Sequence, residues 1–338
     1  MQTTINTSIG PATRFLYGDR AKVRLGFGCA SLMQHPSRRR RQALLGEAFE
    51  QGIRHFDVAR MYGLGATEAE LGRFAKGRRG EIAIATKFGI EPPSPLLARA
   101  QAPVRLAFEK APALKDFVKR AASRGEEGSR EPRRYDAELA LRSLETSLRA
   151  LGTDYVDCFF VHDPGPADRV DLDGIRACCE ELVAVGKVRA WGISGEPDPC
   201  AGLAAAAEPA LLQVRDELFA SVTSASSGGP PAIGFGIIAA PLARIEAHLR
   251  ENPGARRRWS EATGLDLGDP GAAAALLLRE ALDRNRRGGV LLATTKPSHL
   301  AAAVAAAQMA DAAGGDPAAT AFRECVAEDF RVVPTVHA

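Results

Sequence analysis

The chain has 338 residues, 44 Lys and Arg against 41 Asp and Glu, and a net charge of +3. With 46% hydrophobic and 25% charged residues it is not a wholly disordered chain, and the near balance of charge argues against a dedicated nucleic-acid binder. No apolar run reaches the ~18–20 residues that span a bilayer, and six cysteines without a Cys-x-x-Cys pair fit neither a disulfide framework nor structural zinc, so a reducing, cytoplasmic setting is expected.

In chain order, residues 1–22 form an N-terminal extension whose polar start, Met1 to Gly10, lacks an apolar signal core. Val23 to Gly28 predicts a first strand, and Arg38 to Gln51, preceded by Ser37, a helix. Ile53 to Asp57 predicts a second strand. Thr67-Glu-Ala-Glu70 reads as a capping box opening a helix through Ala75. Glu81 to Lys87 is a third strand, and Asp136 caps a helix running to Leu151. Tyr155 to Val161 is a fourth strand, followed by a helix over Leu172 to Val185. Lys187 to Ile193, Leu211 to Val214 and Phe235 to Ala239 read as the fifth, sixth and seventh strands. Asp269-Pro270 reads as a helix start with proline at the first position. Val290 to Thr294 is an eighth strand, with a helix from about Ser298.

Eight strands alternating with helices imply a parallel sheet, and eight such units close into a (β/α)8 TIM barrel over residues 23–308. The alternative, an open doubly wound sheet, wants Gly-x-Gly-x-x-Gly after its first strand. Gly26-Phe-Gly28 is instead followed by Cys29-Ala-Ser31. Two segments exceed ordinary connections. The long insertion after the third strand, Glu91 to Tyr135, carries ten Lys and Arg against six Asp and Glu. It is expected to lie over the barrel mouth. Residues 309–338 read as a glycine- and alanine-rich tail.

In such a barrel the reactive side chains sit at the C-terminal ends of strands and in the loops that follow. Asp57 ends the second strand, Tyr62 follows it, Lys87 ends the third, and His162 follows the fourth. Singly, each has an ordinary explanation: a cap, a packing aromatic, a surface lysine, a core histidine. Together, on one rim, they form a constellation. An ammonium beside a tyrosine favours its phenolate, and a carboxylate beside the ammonium offsets the cost of burying it. A histidine donates to the substrate oxygen or joins the relay. The outcome is a tuned acid for a carbonyl oxygen, suited to hydride transfer with a nicotinamide.

The wording around these residues resembles the aldo-keto reductase family: Phe56-Asp-Val-Ala-Arg-Met-Tyr-Gly63, Glu68-x-x-Leu-Gly72, Ala85-Thr-Lys87, Ser143 to Asp157 with His162, and Gly186 to Ser194. The form Tyr62-Gly-Leu-Gly-Ala-Thr-Glu68 is similar to the branch with aldose and pyridoxal dehydrogenases. The resemblance implies a (β/α)8 barrel that binds NAD(H) or NADP(H) over its mouth and interconverts a small aldehyde, ketone or sugar-like carbonyl compound and its alcohol. It makes Tyr62 the proton donor, tuned by Lys87 and Asp57, with His162 orienting the carbonyl. Ser194 and Gln213 would hold the nicotinamide carboxamide. Thr294, Thr295, Lys296 and His299 fall at the phosphate- and ribose-binding turn.

The cofactor side departs from that pattern. Gly195 stands where the family has an asparagine, Ala239 where it stacks a tyrosine, Ala302-Ala303 where Glu-Asn grips adenine, and His299 where an arginine meets a 2′-phosphate. Two further readings stay open: a catalytically weak or inactive regulatory relative, and a metal-dependent hydrolase using His55, Asp57 and His162. Against the latter, Lys87 at the same rim would repel a cation. No metal, nucleic-acid or membrane partner is implied, and neither the substrate, the direction, the choice of nucleotide nor the oligomeric state can be read from the residues.

Overall fold

Eight short parallel strands close on themselves, as the alternation of strands and helices predicts. The computed structural model describes residues 16–17, 21–92, 132–216, 218–219, 229–312 and 315–331. The barrel strands are β1 (Leu25–Gly28), β2 (His55–Asp57), β3 (Ala83–Phe88), β5 (Val156–His162), β7 (Val188–Gly195), β8 (Leu211–Arg215), β9 (Ala232–Phe235) and β10 (Gly289–Leu292). Their order around the barrel follows the chain, and β10 pairs with β1 to close it. Two further strands, β4 (Arg134–Tyr135) and β6 (Arg169–Val170), pair with each other in a separate two-stranded sheet.

Helices α1 (Arg38–Glu50), α2 (Thr67–Ala75), α3 (Ala137–Leu151), α4 (Leu172–Ala184), α5 (Pro197–Ala207), α6 (Ala239–Glu251), α7 (Pro253–Thr263), α8 (Ala272–Arg284), α9 (Pro297–Ala312) and α10 (Pro317–Phe330) surround the strands, with short 3-10 turns at Cys29–Gln34, Tyr62–Gly65 and Arg79–Glu81. Asp136 caps α3 as its sequence predicts, accepting from Leu139 N at 2.8 Å. No helix among the described residues is long and apolar enough to cross a membrane.

The strand period of two decides what fills the lumen. On β3, Ala83 and Ala85 pack inside and the next inward position is Lys87; on β5, Cys158 and Phe160 precede His162. On β8, Leu211 precedes Gln213. Apart from His55, which meets the Tyr17 hydroxyl, the lower layer is thus apolar and the upper layer polar. Leu16 and Tyr17, from the N-terminal extension, join the lower layer and are almost fully buried there.

Four local expectations are corrected. Thr67 is the first residue inside α2 and not its cap, and its hydroxyl has no hydrogen-bond partner. Glu70 does not reach back to close a capping box; it accepts from Arg41 and Gln42 of α1. The seventh barrel strand lies at Ala232–Phe235, so Ala239 begins α6 instead of ending a strand. Asp269 sits in the turn before α8, which begins at Ala272, and its carboxylate accepts from Gly271 N at 3.3 Å. The stretch expected as a tail contains α10, whose Phe322 packs with Trp259, Leu276 and Leu249 in a second core outside the barrel. Most of the expected mouth-covering insertion, 93–131, lies outside the described residues.

Candidate active site

Register brings the rim residues together. His162 on β5 lies opposite Ser194 on β7, and Ser194 opposite Gln213 on β8, so the three form one lateral row. Asp57 ends β2 opposite Ala85, two residues below Lys87 on β3. Asp57, Lys87 and His162 therefore meet at the C-terminal mouth, and Tyr62 follows in the 3-10 turn after β2.

Lys87 Nζ donates to Asp57 Oδ1 at 2.6 Å and to the carbonyl of Val58 at 3.0 Å, with only 1% of its side chain exposed. The same ammonium lies 5.0 Å from the centroid of the Tyr62 ring. The Tyr62 ring meets His162 edge to face, centroids 6.0 Å apart. Burial opposes the Lys87 charge, but Asp57 and Tyr62 outweigh it and hold the ammonium pKa above its ordinary value.

Tyr62 departs from the simple expectation of a lowered pKa. Burial raises it more than Lys87 lowers it, and Asp57 adds to the rise, so the phenol stays protonated. That is the form an acid needs. His162 is held well below its usual range by burial, then by Lys87 and Arg133, so the imidazole is neutral. Its Nδ1 is buried without a hydrogen-bond partner.

The loop carrying Tyr62 is fixed from several sides. Gly63 has φ +57, and a Cβ there would meet Met33 Cγ at 2.4 Å, so only glycine fits. Arg60 bridges Glu68 of α2 at 3.1 Å and Glu91 at 3.2 Å. Glu68 is fully buried and also accepts from Thr86 Oγ1 at 2.8 Å. The turn after β5 is held by Tyr135, whose hydroxyl donates to the His162 carbonyl at 2.9 Å. These supports were not among the sequence candidates; the conspicuous signal was the pair of charged residues, Arg60 and Glu68, flanking Tyr62.

The sequence-predicted cofactor residues divide into two groups. Ser194 and Gln213 are buried beside the catalytic candidates. Ser194 Oγ donates to Gln213 Oε1 at 2.6 Å, and Gln213 Nε2 donates to Asp57 Oδ2 at 2.7 Å. A carboxylate only accepts, so the amide nitrogen must face Asp57. One amide hydrogen of Gln213 and the lone pairs of Ser194 stay uncommitted, which suits the carbonyl and amine of a carboxamide. The second group spans the turn after β10, with Thr294, Thr295 and Lys296, and the first turn of α9, with His299. Thr294 is buried and its hydroxyl accepts from Lys296 N, whereas Lys296 and His299 are exposed. Lys296 just ahead of the α9 N-terminus and His299 in its first turn fit a phosphate.

Of the departures, Gly195 has a structural reason: a Cβ there would lie 3.1 Å from Asp163 Cα, where the chain turns with φ +52. Ala303 is buried in the main core and Ala302 is exposed on the same helix, so neither replaces an adenine clamp. Phe235, at the mouth end of β9 under the Arg215 guanidinium, is an aromatic that was not among the sequence candidates for the site. Among the described residues no group of three His, Cys, Asp or Glu is placed to hold a metal ion.

The family model described as "Aldo/keto reductase family" matches residues 24–215. The chain is 31% identical over 175 residues to the aldo-keto reductase yakc [NADP(+)] of Schizosaccharomyces pombe, covering 50% of this chain and 42% of that protein. It is 32% identical over 174 residues to the D-threo-aldose 1-dehydrogenase of a Pseudomonas species, covering 50% and 47%. The chain thus spans less than half the length of these curated relatives. A solved aldo-keto reductase from Bacillus halodurans, in its holo form, superposes with a TM-score of 0.62 at 20% identity, covering 93% of this chain and 94% of that one. At that identity the likeness shows the fold.

Proposed function

The chain belongs to the aldo/keto reductase family, and on that premise we propose that it is an NAD(P)(H)-dependent oxidoreductase that interconverts a small carbonyl compound and its alcohol. The observation that carries this reading is the Lys87–Asp57 pair, 2.6 Å apart and nearly water-free, set under a protonated Tyr62 and beside a neutral His162. When bound, the nicotinamide supplies a hydride to the carbonyl carbon. Tyr62 gives its proton to the oxygen as negative charge grows there. Lys87 stabilises the phenolate left behind, and Asp57 holds Lys87 in place. His162, uncharged, orients the carbonyl by a hydrogen bond. Ser194 and Gln213 receive the carboxamide, and the Thr294-Thr295-Lys296 turn with His299 receives phosphate.

A second reading is a regulatory relative with weak or no turnover. It is favoured by one observation: the family match stops at residue 215, and Ala239, Ala302 and Ala303, the departures at the stacking and adenine positions, all lie beyond it. Fluorescence titration with NADH and NADPH, followed by a turnover assay on aldehydes, ketones and sugars, separates the two. Binding with Tyr62-dependent turnover supports the enzyme. Failure of both nucleotides to bind refutes it.

A further inference from the structure

Gln213 does more in this chain than offer an amide to a cofactor. Its side chain crosses the barrel lumen from β8 to β2, strands that are not neighbours, and takes the second oxygen of Asp57 at 2.7 Å. The first oxygen takes Lys87 at 2.6 Å. Ser194 fixes the far end of the amide at 2.6 Å. The result is one continuous chain, Ser194–Gln213–Asp57–Lys87, from β7 to β3, in which every member is at most 3% exposed. We propose that Gln213 is a positioning residue for the Tyr62 acid, acting through Asp57.

The physical reason is the shape of the Asp57 carboxylate's surroundings. With both oxygens occupied from opposite sides, the carboxylate cannot rotate, and the direction of the Lys87 ammonium is set. The Gln213 donor also takes up part of the Asp57 charge. That charge disfavours the Tyr62 phenolate. Removing the donor leaves a buried oxygen unsatisfied, frees the carboxylate to draw the ammonium toward itself, and exposes Tyr62 to more of the negative charge. Each effect makes Tyr62 a weaker acid. The proposal deepens the reading of Tyr62 as proton donor and rests on it for its catalytic meaning.

Turnover alone cannot test this, because Gln213→Leu would also remove a carboxamide contact. The measurement is therefore tyrosinate absorbance against pH in the protein without nucleotide. There are four tyrosines, so the Tyr62 step is isolated by subtracting the same titration of Tyr62→Phe. In Gln213→Leu the Tyr62 midpoint should rise by about half a pH unit or more, about threefold in acid constant. In an Asp57→Asn background the same substitution should leave the midpoint unmoved, because the carboxylate it acts through is gone. Ser194→Ala, which frees the amide but keeps it, should give a smaller rise and serves alone if Gln213→Leu does not fold. An unchanged or lowered midpoint in Gln213→Leu and Ser194→Ala overturns the proposal. So does a rise that persists without the Asp57 charge, since that would come from general desolvation. Because the titration needs no turnover, a protein that fails as an enzyme can still pass or fail it.

Discussion

Lys87 and Asp57, on neighbouring strands β3 and β2, face each other across 2.6 Å with 1% and 3% of their side chains exposed. Two charges removed from water this completely are stable only as a pair with their remaining hydrogen-bond positions used. Here Val58 O takes another hydrogen of the ammonium and Gln213 the other oxygen of the carboxylate. A pair assembled at the mouth of the barrel with a tyrosine above it is costly for stability alone. In the proposed reaction the pair serves to keep a cation against the Tyr62 phenol where water cannot screen it.

Tyr62→Phe keeps the ring that meets His162 and Lys87 but removes the hydroxyl. Carbonyl reduction should fall by at least ~10²-fold. Nucleotide affinity, read by fluorescence titration, should stay within about twofold, because the lost group is an acid and not a nucleotide contact. Parental turnover in this variant would contradict the assignment of the donor.

Lys87→Met should raise the Tyr62 pKa further, since the ammonium is what opposes burial there. The sign follows. Alcohol oxidation needs the phenolate, so its pH–rate profile should move to higher pH and its rate at neutral pH should drop. Reduction should slow because the phenol is a weaker acid. Each of Lys87→Met and Asp57→Asn leaves a buried charge without its partner, at a cost of about 3–5 kcal/mol in urea unfolding. Identical pH profiles for the parent and Lys87→Met would remove the tuning role.

The barrel and its polar rim are legible in the residues because two independent periodicities agree. Strand-helix alternation sets the architecture, and the period of two along each strand ends its inward face in Asp57, Lys87, His162, Ser194 or Gln213. What stays hidden is contact across the lumen. Nothing in the spacing of Asp57 and Gln213, on strands that are not paired, says that their side chains touch. The seventh strand is misplaced by the hydrophobic run Ile237-Ile238-Ala239-Ala240, which continues past Gly236 into the first turn of α6; a short apolar run fits strand or helix equally. The α10 helix is hidden by its small residues, and the larger Phe322, Cys325, Val326 and Phe330 reveal that it packs.

Nucleotide choice should be weak. Lys296 and His299, the groups nearest a 2′-phosphate by the family pattern, are exposed side chains without the planar two-pronged geometry of an arginine. Discrimination between NADH and NADPH should stay under ~10³-fold, because a larger ratio needs ~4 kcal/mol from a dedicated contact. Dissociation constants for the two nucleotides in the same buffer check this directly.

Arg60→Met should loosen the Tyr62 loop. The guanidinium joins buried Glu68 to Glu91 at the root of the insertion. Without it Glu68 keeps only the Thr86 hydroxyl among these partners. A stability loss of about 3 kcal/mol is expected, together with a larger fall in kcat than in nucleotide affinity. Wild-type stability in Arg60→Met would show that the bridge is dispensable.

His55 makes the fold sensitive to acid. It is fully buried in the lumen two residues before Asp57, with Nδ1 2.9 Å from the Tyr17 hydroxyl and Nε2 without a partner. Burial lowers its pKa from 6.5 to about 4; the Asp57 charge opposes this and Lys87 adds to it. The unfolded chain therefore takes up the proton first as pH falls. At this group the native state binds fewer protons than the unfolded one between about pH 6.5 and 4, so its contribution to stability should decline through that window. The limit from this single group is about 3 kcal/mol. His55→Gln keeps polar capacity but cannot titrate, so its stability should decline less steeply over the same interval. Urea unfolding at pH 7, 5.5 and 4 checks this: the stability gap between the parent and His55→Gln should shift in the variant's favour as pH falls. A gap constant across the three pH values would place the acid sensitivity elsewhere, with His162 the next group to replace because its pKa is lowered by the same cause.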